Sequence, residues 1–192
     1  DVTFVMPRGK GDPTSSHVNM IFANELERSG SFAVKEIETP MQPYMDSRKY
    51  AKIWYTKKAS EGEDCDVYGK NLYEEVHRFA HQAEMIEDLD GYDIIHAHDW
   101  MTYPAAIRAK ERTGKPLVVH IHATEFDRTT GHCNPQIYEL ERKGFEAADC
   151  IIAVSELTRQ KVIQEYAIPK EKVQVVHNAV EISADSVYNK VG

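Results

Sequence analysis

Asp93-Ile94-Ile95-His96-Ala97-His98-Asp99-Trp100, then Tyr103 to Thr113, then Pro116-Leu117-Val118-Val119-His120-Ile121-His122, is the stretch on which the fold reading turns. The apolar run from Tyr92 to Ala97 predicts a strand. Ala105, Ala106, Ile107 and Ala109 favour helix over 103–113, and Gly114 supplies the residue that ends one. The run from Pro116 to Ile121 predicts a second strand. Strand, helix and strand therefore follow one another with short connections.

The alternation continues in both directions. Downstream, 135–148 reads as helix and 150–154 as strand. A helix follows over 156–166 with Ser155 as its N-cap, and 173–176 reads as a further strand. Upstream, Leu72, Val76, Phe79, Ala80, Ala83 and Ile86 recur at helical spacing, which predicts a helix over 71–88. Continuous apolar strands joined by helices predict a parallel sheet covered on both faces, a Rossmann-like three-layer α/β domain. Nearer the start, Val2 to Met6 reads as a strand stopped by Pro7, Gly9, Gly11 and Pro13, with short strands at 18–22 and 32–37. The stretch 39–70, with Pro40, Pro43 and many basic residues, reads as loop with at most one helical turn.

Composition narrows the function classes. The chain has 192 residues, 42% hydrophobic and 28% charged, enough for one ordinary domain. No stretch approaches the roughly 20 apolar residues of a membrane span. A formal charge of -8 opposes a broad grip on nucleic acid or anionic lipid. Cys65, Cys133 and Cys150 stand at no metal-finger spacing, and Cys150 reads as a small buried hydrophobe. A reducing, cytoplasmic setting is the expectation.

In open parallel sheets ligands bind beyond the carboxyl ends of the strands, so the residues there are the candidates. They are 96–100, 120–128, Ser155-Glu156 and 177–181. His96 and His120, nearer the strand interiors, read as packing residues with ring nitrogens satisfied by backbone. His98 and His122, past the strand ends, read as site residues. Asp99 reads as the N-cap of the following helix, and Trp100 as a packing anchor. His122, Glu125, Asp127 and Arg128 put four ionisable groups into seven residues, more than a solvated loop usually carries. Ser155 with Glu156 reads as a helix start and Asn178 as a turn.

Other motifs are absent. Gly9-Lys10-Gly11 lacks the order of a P-loop, no Gly-x-Gly-x-x-Gly follows a strand, and there is no Gly-x-Ser-x-Gly elbow. Two His-x-His pairs with Asp99, Glu125 and Asp127 nearby do supply the ligand types of a hydrolytic zinc or iron centre. A metal-dependent hydrolase therefore stays open as an alternative.

Taken together, 93–100, 114–128, 148–155 and 172–180 resemble the amino-terminal domain of retaining glycosyltransferases of family 4, close to the glycogen and starch synthase group. Val2 to Pro7 also resembles that family's second strand. The resemblance implies one half of a GT-B fold, in which two Rossmann-like domains face each other across a cleft. It further implies transfer of a sugar, with glucose as the expectation, from a nucleoside-diphosphate donor to a glucan or other glycan acceptor with retention of configuration. By motif position, His98 and Asp99 are the implied catalytic residues. His122, Thr124, Glu125, Asp127 and Arg128 are the implied substrate-binding residues, and Asn178 marks the exit from the domain. No metal and no cofactor beyond the donor substrate is implied.

On this resemblance residues 1–180 form the domain and 181–192 begin a linker. The family's first strand and its Gly-rich loop are expected before Asp1, and the donor-binding domain after Val180. The isolated chain is then expected to be inactive, and the gap left by a central strand makes self-association through a sheet edge an expectation. A non-catalytic carbohydrate-binding module remains the second alternative.

Overall fold

The computed structural model describes residues 2–7, 14–15, 18–19, 32–37, 39–41, 45–61, 69–86 and 91–179. The linker expected at 181–192, Cys65 and most of 8–31 lie outside the described residues.

Four strands, β5 (Ile95–His98), β6 (Leu117–Ile121), β7 (Cys150–Ala153) and β8 (Val173–Val175), form a parallel sheet in sequential order. Between them run α3 (Tyr103–Thr113), the short α4 (Glu125–Thr129) with α5 (Pro135–Ala147), and α6 (Glu156–Glu165). The parallel sheet and alternating helices are the Rossmann-like α/β architecture that the alternation predicts, but among the described residues the connecting helices cover one face of the sheet and not the two expected. The local signals act as read: Gly114 adopts φ 68 at the end of α3, and the Ser155 side chain accepts from the Thr158 amide at 3.0 Å.

Strand order and chain order coincide, so right-handed crossovers bring every connecting helix to one side. Ring packing confirms it. Tyr103 of α3 lies 5.9 Å from Phe145 of α5, and Phe145 lies 5.0 Å from Tyr166 beyond α6. The strand residues facing these helices, Ala97, Leu117, Val119, Ile121, Ile151, Ala153 and Val173, are buried. Gly144 lets the two helices close: a Cβ there would stand 2.2 Å from the Tyr103 ring. The opposite parity of the sheet is different. Among its described residues His96, His98 and Gln174 are exposed, and Val118, His120, Cys150 and Ile152 are half-buried.

Further out, α2 (Leu72–Glu84) packs on α3, and α1 (Ser47–Glu61) packs on α2. The helix α1 overturns the loop reading over 47–61. Asp46 caps it, its Oδ1 accepting from the Arg48 and Lys49 amides at 2.9 and 2.8 Å. Tyr50 and Trp54, one turn apart, are buried, and the Tyr50 hydroxyl donates to the Gly69 carbonyl at 2.6 Å. The buried stripe is only one large side chain per turn, which is why the surrounding lysines hid it.

β1 (Val2–Pro7) and β4 (Phe32–Ile37) are strands, as read from their sequences, and they pair in parallel. β2 (Thr14–Ser15) and β3 (Val18–Asn19) form a small antiparallel pair, so only the first part of the strand expected at 18–22 is described. Among the described residues neither pair joins the four-stranded sheet. No described helix is long and apolar enough to cross a membrane.

Candidate functional site

Register and alternation build the site. His98 pairs with His120 across β5 and β6, so His96 and His98 of one strand and His120 of the next point to the same side of the sheet. His122, just past β6, extends the row. Ring centroids lie 4.5 Å apart for His96 and His98, 4.9 Å for His98 and His120, and 4.5 Å for His120 and His122.

This row corrects the packing readings of His96 and His120. His96 is exposed, because the three crossover helices take the other face of the sheet. The Nε2 of His120 is buried with no hydrogen-bond partner among the described residues, so backbone does not satisfy it. His98 is also not past its strand but the last residue of β5, since the strand begins later than its apolar run.

Desolvation and crowding keep these rings uncharged. Partial burial lowers the pKa of His96. For His98 partial burial acts first, then the neighbouring His96 and His122, with Asp99 pulling the other way. His120 is pushed down to about 4 by burial and then by His122, His98 and His96. At neutral pH all three offer uncharged imidazoles that can accept at one nitrogen and donate at the other.

Asp99 is not the cap of α3. Thr102 occupies that place, and its hydroxyl donates instead to the His98 carbonyl at 2.7 Å. Asp99 turns the chain in the left-handed region at φ 58. Its amide donates to the His120 carbonyl at 2.9 Å, and its Oδ1 accepts from the His122 amide at 2.9 Å. Its Oδ2 stands 3.3 Å from His122 Nδ1. A single carboxylate thus ties the end of β5 to the end of β6. Beneath them the buried Tyr103 hydroxyl donates to the His120 carbonyl at 3.2 Å. Trp100 is buried, as an anchor should be.

The stretch 122–128, read as a loop, is mostly the start of a helix. Thr124 and Asp127 form a reciprocal cap on α4: the Thr124 Oγ1 accepts from the Asp127 amide at 3.4 Å, and Asp127 Oδ2 accepts from the Thr124 amide at 2.9 Å. Asp127 Oδ1 pairs with Lys161 of α6. Glu125 is buried, accepting from the Asn134 amide at 3.1 Å and from Arg128 Nε at 3.3 Å. Arg128 also holds Glu141 of α5 and the Ala123 carbonyl. The structure therefore brings His98, Asp99 and His122 to one half-open rim. It turns Thr124, Glu125, Asp127 and Arg128 into the frame that holds that rim in place. Glu141, Tyr166 and Lys161 belong to the frame and carried no local sequence signal.

Burial pushes the Asp127 carboxyl up, but Lys161 and the Thr124 hydroxyl and amide together hold it below the ordinary carboxylate value. A group whose folded pKa is depressed stabilises fully above its unfolded value and loses that contribution as pH falls through the folded one. Asp127→Asn is accordingly expected to cost about 1–2 kcal/mol near neutral pH. Denaturation curves of parent and variant should converge as the solution is acidified below the ordinary aspartate range. A gap that stays constant with pH would mean the ion pair contributes nothing.

Comparison with known proteins fits this architecture. An uncharacterized glycosyltransferase of Methanocaldococcus jannaschii is 32% identical over 100 residues, covering 48% of this chain and 24% of that protein. A D-inositol 3-phosphate glycosyltransferase of Nocardioides sp. is 25% identical over 107 residues, covering 53% and 23%. A glycogen synthase of Mycobacterium tuberculosis is 26% identical over 93 residues, covering 46% and 22%. The matched part of the chain thus spans about a quarter of the length of these relatives. The model of Glycosyltransferase Family 4 matches residues 47–184, well over half of the chain and all of the sheet that carries the rim. The chain belongs to Glycosyltransferase Family 4.

Proposed function

We propose that these residues form the acceptor-side half of a GT-B enzyme that transfers a sugar, glucose as the first candidate, from a nucleoside-diphosphate donor to a glycan with retention of configuration. The observation that carries the reading is the family match over 47–184 together with His98 standing exposed at the carboxyl end of β5. The name glycogen synthase on one relative supports a glucan acceptor, and the name D-inositol 3-phosphate glycosyltransferase on another supports a smaller phosphorylated one. The glucan reading is preferred because 93–100, 114–128, 148–155 and 172–180 together resemble the glycogen and starch synthase group.

The chemistry suits the residue types. As the diphosphate departs, the sugar takes on oxocarbenium character, and the enzyme must hold its hydroxyls in place while charge develops. An uncharged His98 orients a sugar hydroxyl without adding a positive charge beside an electron-poor carbon. Asp99 and His122 fix the turn from which His98 projects. The partners of this reading are the nucleotide sugar, the acceptor and a donor-binding domain, with the reaction taking place in the cytoplasm and needing no metal or further cofactor.

The test is made on the full-length protein that contains these residues. Nucleotide sugars are offered with oligoglucans or inositol phosphate, with and without chelator, while diphosphate release and product anomer are followed. Expected is acceptor-dependent, chelator-insensitive release with the anomeric configuration retained. His98→Ala should lower kcat by about 100-fold or more. Release that needs a metal, or an inverted product, would overturn the reading.

A further inference from the structure

The sheet face opposite α3, α5 and α6 carries a ligand set. His96 and His98 stand two residues apart on β5, and His120 pairs with His98 from β6. One ring nitrogen from each lies within 4.8 Å of the others. Around an ion with bonds of about 2.0–2.1 Å, tetrahedral ligand nitrogens stand about 3.4 Å apart. Small rotations of the three side chains cover the difference, because alternation along one strand and register with the next already set the spacing. We propose that His96, His98 and His120 bind one divalent transition-metal ion of the zinc class, with the remaining coordination position open.

Three further observations support the site. An all-imidazole set with no carboxylate suits zinc, copper or nickel and not magnesium or calcium. The rings are held uncharged at neutral pH, the form in which imidazole is a ligand. The His120 Nε2 is buried without a partner among the described residues, and a metal bond would satisfy it. The site does not depend on the transferase reading. It shares histidines with the hydrolase alternative, which drew on both His-x-His pairs and the carboxylates, and differs from it in using none of the acids.

The experiment titrates metal-freed protein with zinc chloride by calorimetry and with cobalt chloride by visible absorption, and follows the imidazole proton resonances during the zinc titration. One ion per chain is expected, with an intense tetrahedral cobalt spectrum. The His96, His98 and His120 resonances should move while those of the exposed His77, His81 and His132 stay. His96→Gln and His120→Gln should each weaken zinc at least about 10–100-fold, with fold checked by circular dichroism, and His132→Gln should not. Should either variant lose its fold, the parent resonances decide alone. No binding at about 1 mM zinc, far weaker than protein zinc sites, or resonance shifts confined to the exposed histidines, would overturn the site.

Discussion

Glu141→Leu is expected to destabilise the protein by about 3–5 kcal/mol, because it removes the acceptor around which a buried polar knot is tied. The Glu141 side chain is fully buried. It accepts from the Glu125 amide at 3.0 Å, from the Tyr166 hydroxyl and from Arg128. Leucine fills the volume and leaves an amide and a hydroxyl unsatisfied and Arg128 with one carboxylate fewer. Burial raises the Glu141 pKa against the pull of Arg128, Tyr166 and the Glu125 amide, so the charge is held at a cost that only its full set of partners offsets. Glu141→Gln keeps an acceptor and should lose about 1–2 kcal/mol. Urea denaturation of the three proteins gives the comparison, and amide exchange at Glu125 locates it, since the first turn of α4 should open before the sheet does. Equal losses in the leucine and glutamine variants would show that charge, not hydrogen-bond satisfaction, is what Glu141 supplies.

That knot also marks where the sequence stops being readable. The strands from 95 to 175 could be placed because each is a continuous apolar run. Their helices announce their ends locally, through Ser155 at the start of α6 and Gly114 after α3. Nothing local announces that Asp127 meets Lys161 across 34 positions, or that Tyr166 reaches back to Glu141. α1 was missed because Tyr50 and Trp54 form a stripe too narrow to stand out among lysines. α4 was missed although Thr124 and Asp127 stand at capping-box spacing, because the charged residues around them were read as a ligand loop.

The histidines show a different kind of limit. The spacing His-x-His says that two rings share a face, but not which face the helices leave open. That follows only from the strand order β5-β6-β7-β8, which sends all the crossovers to one side. Once the order is fixed, His96 and His120 cease to be packing residues and become neighbours of His98. The two proposals then meet at one side chain: an ion held by His98 would remove it from a sugar hydroxyl, so zinc should inhibit transfer.

Asp99→Ala carries the second large expected effect, a loss of about 2–4 kcal/mol together with displacement of the rim. Two contributions add. At φ 58 an alanine pays the steric cost of the left-handed region, about 1–2 kcal/mol, which aspartate and asparagine tolerate better through local hydrogen bonding. The variant also leaves the His122 amide without the carboxylate it meets at 2.9 Å. Two companion variants separate these contributions. Glycine adopts φ 58 freely but offers no acceptor, so Asp99→Gly should lose only the hydrogen bond. Asparagine keeps both the acceptor and the tolerance, so Asp99→Asn should stay closest to the parent. Denaturation midpoints are therefore expected to fall in the order asparagine, glycine, alanine, while the His122 amide resonance moves in the last two and little in the first. Glycine and alanine variants of equal stability would show that the turn does not depend on a residue suited to positive φ. His98 would then owe its placement to the β5–β6 pairing alone.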